Sequence, residues 1–192
     1  MEEILEDRIG FGRGQKSMLE SMYLLLFSEG AESIVLGLMI PELDKEWGIG
    51  TFEKSLLITM VYIGVGLGSY LQTYSDVYGR YKVLLIDAII ACVFGLVSVF
   101  SMGFNFFLFA RFFYGIGIGM ALPITATYMT EIVPGSKRAF IMSVSRIYWS
   151  GGCVFACLIG WLLMGSNHWR IVLLILSIPN FIALYQIIVD GK

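Results

Sequence analysis

Charged and strongly polar side chains are rare in the apolar runs of this sequence, and those present are the ones able to do chemistry. Glu29 and Glu32 stand three residues apart, so on a helix they share a face. With Arg111 they are charges set inside long uncharged stretches, where such residues are costly and need partners. Carboxylates held there could bind a cation or accept a proton, since burial disfavours their charged form. Two plainer arrangements stay open: an aqueous vestibule around them, or a structural bridge to Arg111. Gln72 and Asp87 complete the set. Asp87 lies about a turn from the end of its helix, and its position predicts a structural pair with Arg80 or Arg146. The lone His168 sits beside Trp169 at a helix end and reads as an interfacial residue. Cys92, Cys153 and Cys157 fall in apolar runs without paired metal-ligand spacing and read as packing residues. No nucleophile with a base and an orienting group can be assembled. The expectation is no enzyme, no metal site and no cofactor.

The elements that must hold these residues are membrane helices. Of 192 residues, 57% are hydrophobic and 15% charged, too apolar for a soluble domain of this length. The balance of 13 basic against 15 acidic residues gives no electrostatic reason to expect nucleic acid as a partner. A spanning helix needs about 20 mostly apolar residues. Ser55 to Ser75 carries no charge and makes one span; Ala88 to Thr130 carries only Arg111 and is long enough for two, with a turn at Ser101–Asn105. The predicted fold class is all-α, a polytopic membrane protein with six transmembrane helices at about 17–41, 55–75, 82–102, 106–130, 140–164 and 170–189. Residues 1–16 form a cytoplasmic N-terminal segment with no secretory signal pattern, and 17–189 form one transmembrane domain. Soluble buried helices fail because these segments leave no polar face for water. A β-barrel fails because the apolar residues run continuously. With the N-terminus inside, the inner segments hold Arg8, Arg13, Lys16, Arg80, Lys82, Lys137, Arg138, Arg146 and Lys192, against Lys45, Lys54 and Arg170 outside. That bias predicts both termini in the cytoplasm; it does not distinguish plasma membrane from vesicle membrane.

Two sets of glycines fall at helical spacing. Gly64, Gly66 and Gly68 lie in the second span, and Gly115, Gly117 and Gly119 in the fourth; Gly64/Gly68 and Gly115/Gly119 are Gly-x-x-x-Gly steps that let helix backbones approach closely. Neither set follows a strand or carries the Lys-Ser/Thr of a phosphate loop. The inner loops read Asp76-Val77-Tyr78-Gly79-Arg80-Tyr81-Lys82 and Glu131-Ile132-Val133-Pro134-Gly135-Ser136-Lys137-Arg138. The first resembles the Gly-x-x-x-Asp-Arg-x-Gly-Arg-Arg signature of major facilitator transporters. The second resembles the Glu-x-x-Pro-x-x-x-Arg signature of their sugar-porter and organic-ion branches. Arg111-x-x-x-Gly115-x-Gly117-x-Gly119 followed by Pro123, and Trp169-Arg170 opening the sixth span, are similar to the same superfamily. Ile9-Gly10-Phe11-Gly12-Arg13-x-Gln15, Glu29-x-x-Glu32 and Glu46-Trp47 resemble the start of the synaptic-vesicle-two-related transporters. Departures are Gln72 for the first Gly, Val77 for the first Arg, Ala139 for a Gly and Gly14 for an aromatic.

The resemblance implies the N-terminal half of a major facilitator fold, with the second six-helix half absent. It implies partners as well: the lipid bilayer, a small-molecule or ion substrate, and a second half in a longer product or a second copy. Glu29, Glu32 and Arg111 would line the pathway. Asp76, Gly79, Arg80, Glu131, Pro134 and Arg138 would form inner gate loops that hold the cytoplasmic side closed through ion pairs, with Asp76 and Arg80 meeting the Glu131 and Arg138 loop. The expected function is alternating-access transport of a small organic solute or ion, driven by a proton or cation gradient. The alternative is a non-transporting, degenerate half acting as partner or regulator of a full transporter.

Overall fold

The computed structural model describes residues 12–163 and 168–190, leaving outside it residues 1–11 of the N-terminal segment and Lys192. Six long helices dominate: α1 (Arg13–Trp47), α2 (Thr51–Leu71), α3 (Arg80–Val99), α4 (Phe104–Ile132), α5 (Gly135–Leu163) and α6 (Trp169–Asp190). All six are long and apolar enough to cross a membrane. The chain is an all-α, multi-pass integral membrane protein.

Helix ends differ from the hydropathy reading, each for a local reason. The first helix does not stop near Pro41 but runs 35 residues, about 52 Å, to Trp47. Val35, Met39 and Leu43, spaced by one turn, are fully buried, and this stripe carries the helix through the proline. It ends at Gly48, whose φ of 60° places it in the left-handed region while its amide donates to the Asp44 carbonyl at 2.8 Å. Between α4 and α5 the break is short. Val133, preceding Pro134, is held extended at φ −106° and ψ 135°, and α5 starts at Gly135, so Ser136 to Arg138 are helical. Between α2 and α3 the chain makes a 3-10 turn (Gln72–Tyr74) and a short helical turn (Ser75–Tyr78) before Gly79 breaks it.

Neighbouring helices in the bundle follow the order α2, α4, α3, α6, α1, α5, the principal contacts being α2 with α4, α1 with α5, α3 with α4, and α6 with both α1 and α3. Two seams are backbone to backbone. On α2 and α4, a Cβ added at Gly64, Gly68, Gly115 or Gly119 would collide with the carbonyl oxygen of Phe112, Ile116, Val61 or Val65. On α1 and α5, Gly30 and Gly152 stand in the same relation to Trp149 and Phe27. Pro123 has no N–H to offer the Gly119 carbonyl one turn back; Ser69 of α2 donates its hydroxyl there instead, at 3.0 Å. The cost of one helix's proline is thus offset by the neighbouring helix.

Buried apolar residues form two clusters, one around Met22, Leu84 and Ile124, the other around Met39, Phe107 and Trp169. Buried polar residues gather where the clusters meet: Ser28, Glu29 and Glu32 of α1, Asp87 of α3, Arg111 and Tyr114 of α4, Ser177 and Asn180 of α6. The outer flanks α2 and α5 are least buried and expose apolar surface, including Tyr62 and Leu67 on one and Ile147 and Trp161 on the other.

Replacing Gly68 or Gly119 with leucine forces α2 from α4 and should cost at least the about 1–3 kcal/mol of an overpacked core. Leucine at Gly66, which has open space around it, should leave stability in detergent within about 0.5 kcal/mol of the parent. Equal melting of the Gly66 and Gly119 variants would refute the close seam.

Candidate functional site

The site starts with one guanidinium. Arg111 is 1% exposed on α4 and donates from Nη1 to Oε2 of Glu32 on α1 at 2.7 Å, with the Glu32 side chain also 1% exposed. Two aromatic faces close round it, Phe107 at 5.1 Å and Tyr114 at 5.5 Å from the guanidinium carbon to the ring centroid. Its Nη2 points at the Met39 sulfur at 3.8 Å, and Nε has no acceptor. A pair this deep is weak evidence for stability, because desolvation offsets most of its attraction. Inside a membrane bundle it is a candidate functional site.

Glu29, one turn below Glu32, does not join the pair. Both of its carboxylate oxygens are buried without a hydrogen-bond partner. Asp87 is in the same condition, and this corrects the expectation of a bridge to Arg80 or Arg146. The reason is distance along α3: Asp87 lies seven residues, about 10 Å, inward from Arg80, whose guanidinium turns to the loops instead. Arg146 is exposed on α5. The Asp87 carboxylate packs against α4 at Gly117, where an added Cβ would stand 3.4 Å from Oδ1. Glu29 and Asp87 are close enough for their charges to interact. Asn180 of α6 donates from Nδ2 to the Tyr114 hydroxyl at 3.4 Å and leaves its own oxygen without a donor.

At the end of the bundle carrying the basic loops, Arg80 bonds Asp76 one turn back and Glu131 at the end of α4, the latter from Nε at 3.1 Å. It also donates to the Ser75 hydroxyl, which in turn accepts from Gln72 at 3.3 Å. Gly79, at φ 94° and ψ 140°, makes the sharp entry that aims Arg80 this way. Arg138 stays apart from this cluster: its Nε donates to the Val133 carbonyl at 3.2 Å, bracing the Pro134 corner. Above these loops, a cavity of about 230 Å³ between α1, α4 and α5 is lined by Leu26, Thr125, Met129, Ser145, Arg146 and Trp149, among others.

The far end is tied differently. Glu46 accepts from the Trp169 indole and, at 2.7 and 3.1 Å, from Arg170, which also donates to the Ser101 carbonyl at 3.1 Å. Trp47, Phe107 and Trp169 meet edge to face beneath this cluster. His168 is exposed beside it, its carbonyl accepting the first amides of α6.

The sequence profile of the Major Facilitator Superfamily matches residues 22–189. The chain belongs to that superfamily. Relatives of this superfamily member include synaptic vesicle glycoprotein 2B of Rattus norvegicus, 30% identical over 95% of this chain and 29% of its own length. Synaptic vesicle glycoprotein 2A of Homo sapiens is 31% identical over 91% of this chain and 26% of its own. In fold it is similar to a crystallised D-xylose–proton symporter, with TM-score 0.79, 19% identity and coverage of 89% of this chain and 47% of that one. The inward-open xylose transporter of E. coli gives TM-score 0.79, 19% identity and coverage of 90% and 47%. The chain therefore spans less than a third of these curated relatives and about half of each solved chain.

Sequence reasoning on this facilitator singled out charges and so passed over Tyr114 and Asn180. The available signal for Asn180 was an amide in an otherwise apolar run, next to Pro179. The geometry also yields a double-mutant prediction. Arg111→Gln strands the buried Glu32 carboxylate and should destabilise by about 3–5 kcal/mol, whereas Glu32→Gln combined with Arg111→Gln should recover most of that loss. Thermal melts of the single and double variants check it; strictly additive losses would mean that the two groups do not interact.

Proposed function

We propose that the chain is the N-terminal half of a secondary transporter moving a small organic solute or ion by alternating access. The observation that carries this reading is the fully buried Glu32–Arg111 pair, joining α1 to α4 in the polar layer of a membrane-spanning half-bundle. A pair so placed adds little net stability and fits a pathway element that exchanges partners when a solute or a proton arrives. Protonating Glu32 would release Arg111, and that exchange would couple transport to a cation gradient. The cavity at Trp149 and Arg146 would supply this half's share of the solute site, the rest coming from a second six-helix half packed on the apolar flanks of α2 and α5. Excess Lys and Arg at the loops after α2 and α4 supports a cytoplasmic position for those loops and for both termini. The D-xylose–proton symporter makes a monosaccharide with a proton the first substrate pair to try.

The test is solute uptake in proteoliposomes holding this chain together with its second half, supplied as a longer product or a second copy. A proton gradient should drive uptake of at least one small organic solute, and Arg111→Gln should reduce it by an order of magnitude or more. No uptake across sugars, organic cations and organic anions by a correctly folded assembly would overturn the reading.

The loops at the cytoplasmic end would act as a gate. Arg80, Asp76 and Glu131 are partly exposed, so each contact is weak, about 0–1 kcal/mol, and breakable during opening. In a cysteine-free background, Arg80→Gln should increase the rate at which a Ser145→Cys probe in the cavity reacts with a water-soluble maleimide. An unchanged rate would count against the gate.

A further inference from the structure

The charges of the polar layer do not balance, and the imbalance identifies a site. Among the described residues, the layer buries three carboxylates, Glu29, Glu32 and Asp87, against the single guanidinium of Arg111. Glu32 and Arg111 neutralise one another. Glu29 and Asp87 are left 5% and 0% exposed with no cation against them. The hydrogen-bond inventory is as lopsided. Glu29 Oε1 and Oε2, Asp87 Oδ1 and Oδ2, and Asn180 Oδ1 are all buried without a donor. Asn180 is the independent sign: it is 2% exposed, neutral, and spends its amide on Tyr114 while its oxygen waits for a proton donor. Uncompensated buried charge costs several kcal/mol per ion, more than the layer can absorb twice.

We propose that Glu29 and Asp87 form a proton-binding site, each carboxyl taking up one proton when the bundle is packed as described here. The two protons come from water, no bond other than O–H is made, and the layer becomes neutral overall. Each new hydroxyl also supplies a donor where only acceptors stood. The groups facing the pair from neighbouring helices are Glu32 on α1, Cys92 on α3, Arg111 and Tyr114 on α4 and Asn180 on α6. On α5 the Cys153 thiol donates to the carbonyl of Gly30, the residue after Glu29, while Arg146 is exposed. The one buried cation among them, Arg111, is already engaged. A metal ion is the poorer occupant. Oxygen-bound cations of this kind take about six ligands, and the described residues hold no group of three acidic, histidine or cysteine side chains able to grip one.

Glu29 lies one turn from Glu32 on α1, but neither it nor Asp87 joins the Glu32–Arg111 pair. A chain that carries no solute would still bind these protons, so failure of transport leaves the inference standing. The distinguishing measurement is infrared spectroscopy of the folded chain in detergent at neutral pH. Exposed carboxylates are ionised there, and only a protonated carboxyl gives a C=O stretch above the amide region that shifts in deuterium oxide. The parent should show that band, Glu29→Gln and Asp87→Asn should each lose about half of it, and the double variant all of it. Absence of the band from the folded parent, which needs no variant to fold, would overturn the proposal. So would its persistence in the double variant, or a band that appears only when sodium is replaced by a large organic cation. The last result would assign the site to sodium.

Discussion

A guanidinium shielded to 1% exposure needs an anion beside it, and most of the bundle is arranged around that restriction on Arg111. Glu32 must come from α1, so α1 and α4 are held opposite one another although they share little direct contact. Phe107 and Tyr114 must be aromatic and one turn to either side, because their faces replace water around the cation. Asn180 must then orient the Tyr114 hydroxyl from α6. The apolar clusters above and below serve as insulation, keeping solvent from a layer whose interactions strengthen as the local dielectric falls.

The restriction is met by a frame whose rigidity comes from backbone contact. At the glycine contacts of the α2–α4 and α1–α5 seams backbone meets backbone, so each pair behaves as one thick element. The pairs are joined through α3 and α6, whose contacts are made by side chains. Glu32 and Arg111 therefore sit on different rigid pairs, and Asp87 on a connector between them. Charges distributed in that way would change their separation if the pairs moved relative to one another.

Much of this was legible in the sequence, and the limits are instructive. Uninterrupted apolar runs gave the number and order of helices because water has no place beside them, and Gly-x-x-x-Gly gave Gly64, Gly68, Gly115 and Gly119 as candidates for close packing. Pro41 misled, because a proline late in a long helix can be outweighed by a buried stripe that only packing creates. Asp87 misled for a related reason. Counting residues to the end of α3 placed it near Arg80, but the direction of each side chain is fixed by the helices it faces, Gly117 on one side and the loop carboxylates on the other. The Gly30 and Gly152 seam and the unpaired oxygen of Asn180 depend on three-dimensional register and leave no trace in spacing.

The two ends of the bundle are fastened to different degrees. At one, Arg80 shares itself among exposed acceptors that water can replace one at a time. At the other, a single carboxylate, Glu46, serves an indole and a guanidinium from the start of α6, and the same guanidinium reaches the chain between α3 and α4. Those bonds share atoms, so loosening one shifts the geometry of all. A body pinned at one end and lightly latched at the other moves as a lever about the pin. Displacement would then grow with distance from Glu46, and the cavity beside Trp149, which meets α1 at Leu26 about 30 Å along the helix, would open further than the polar layer at Glu32.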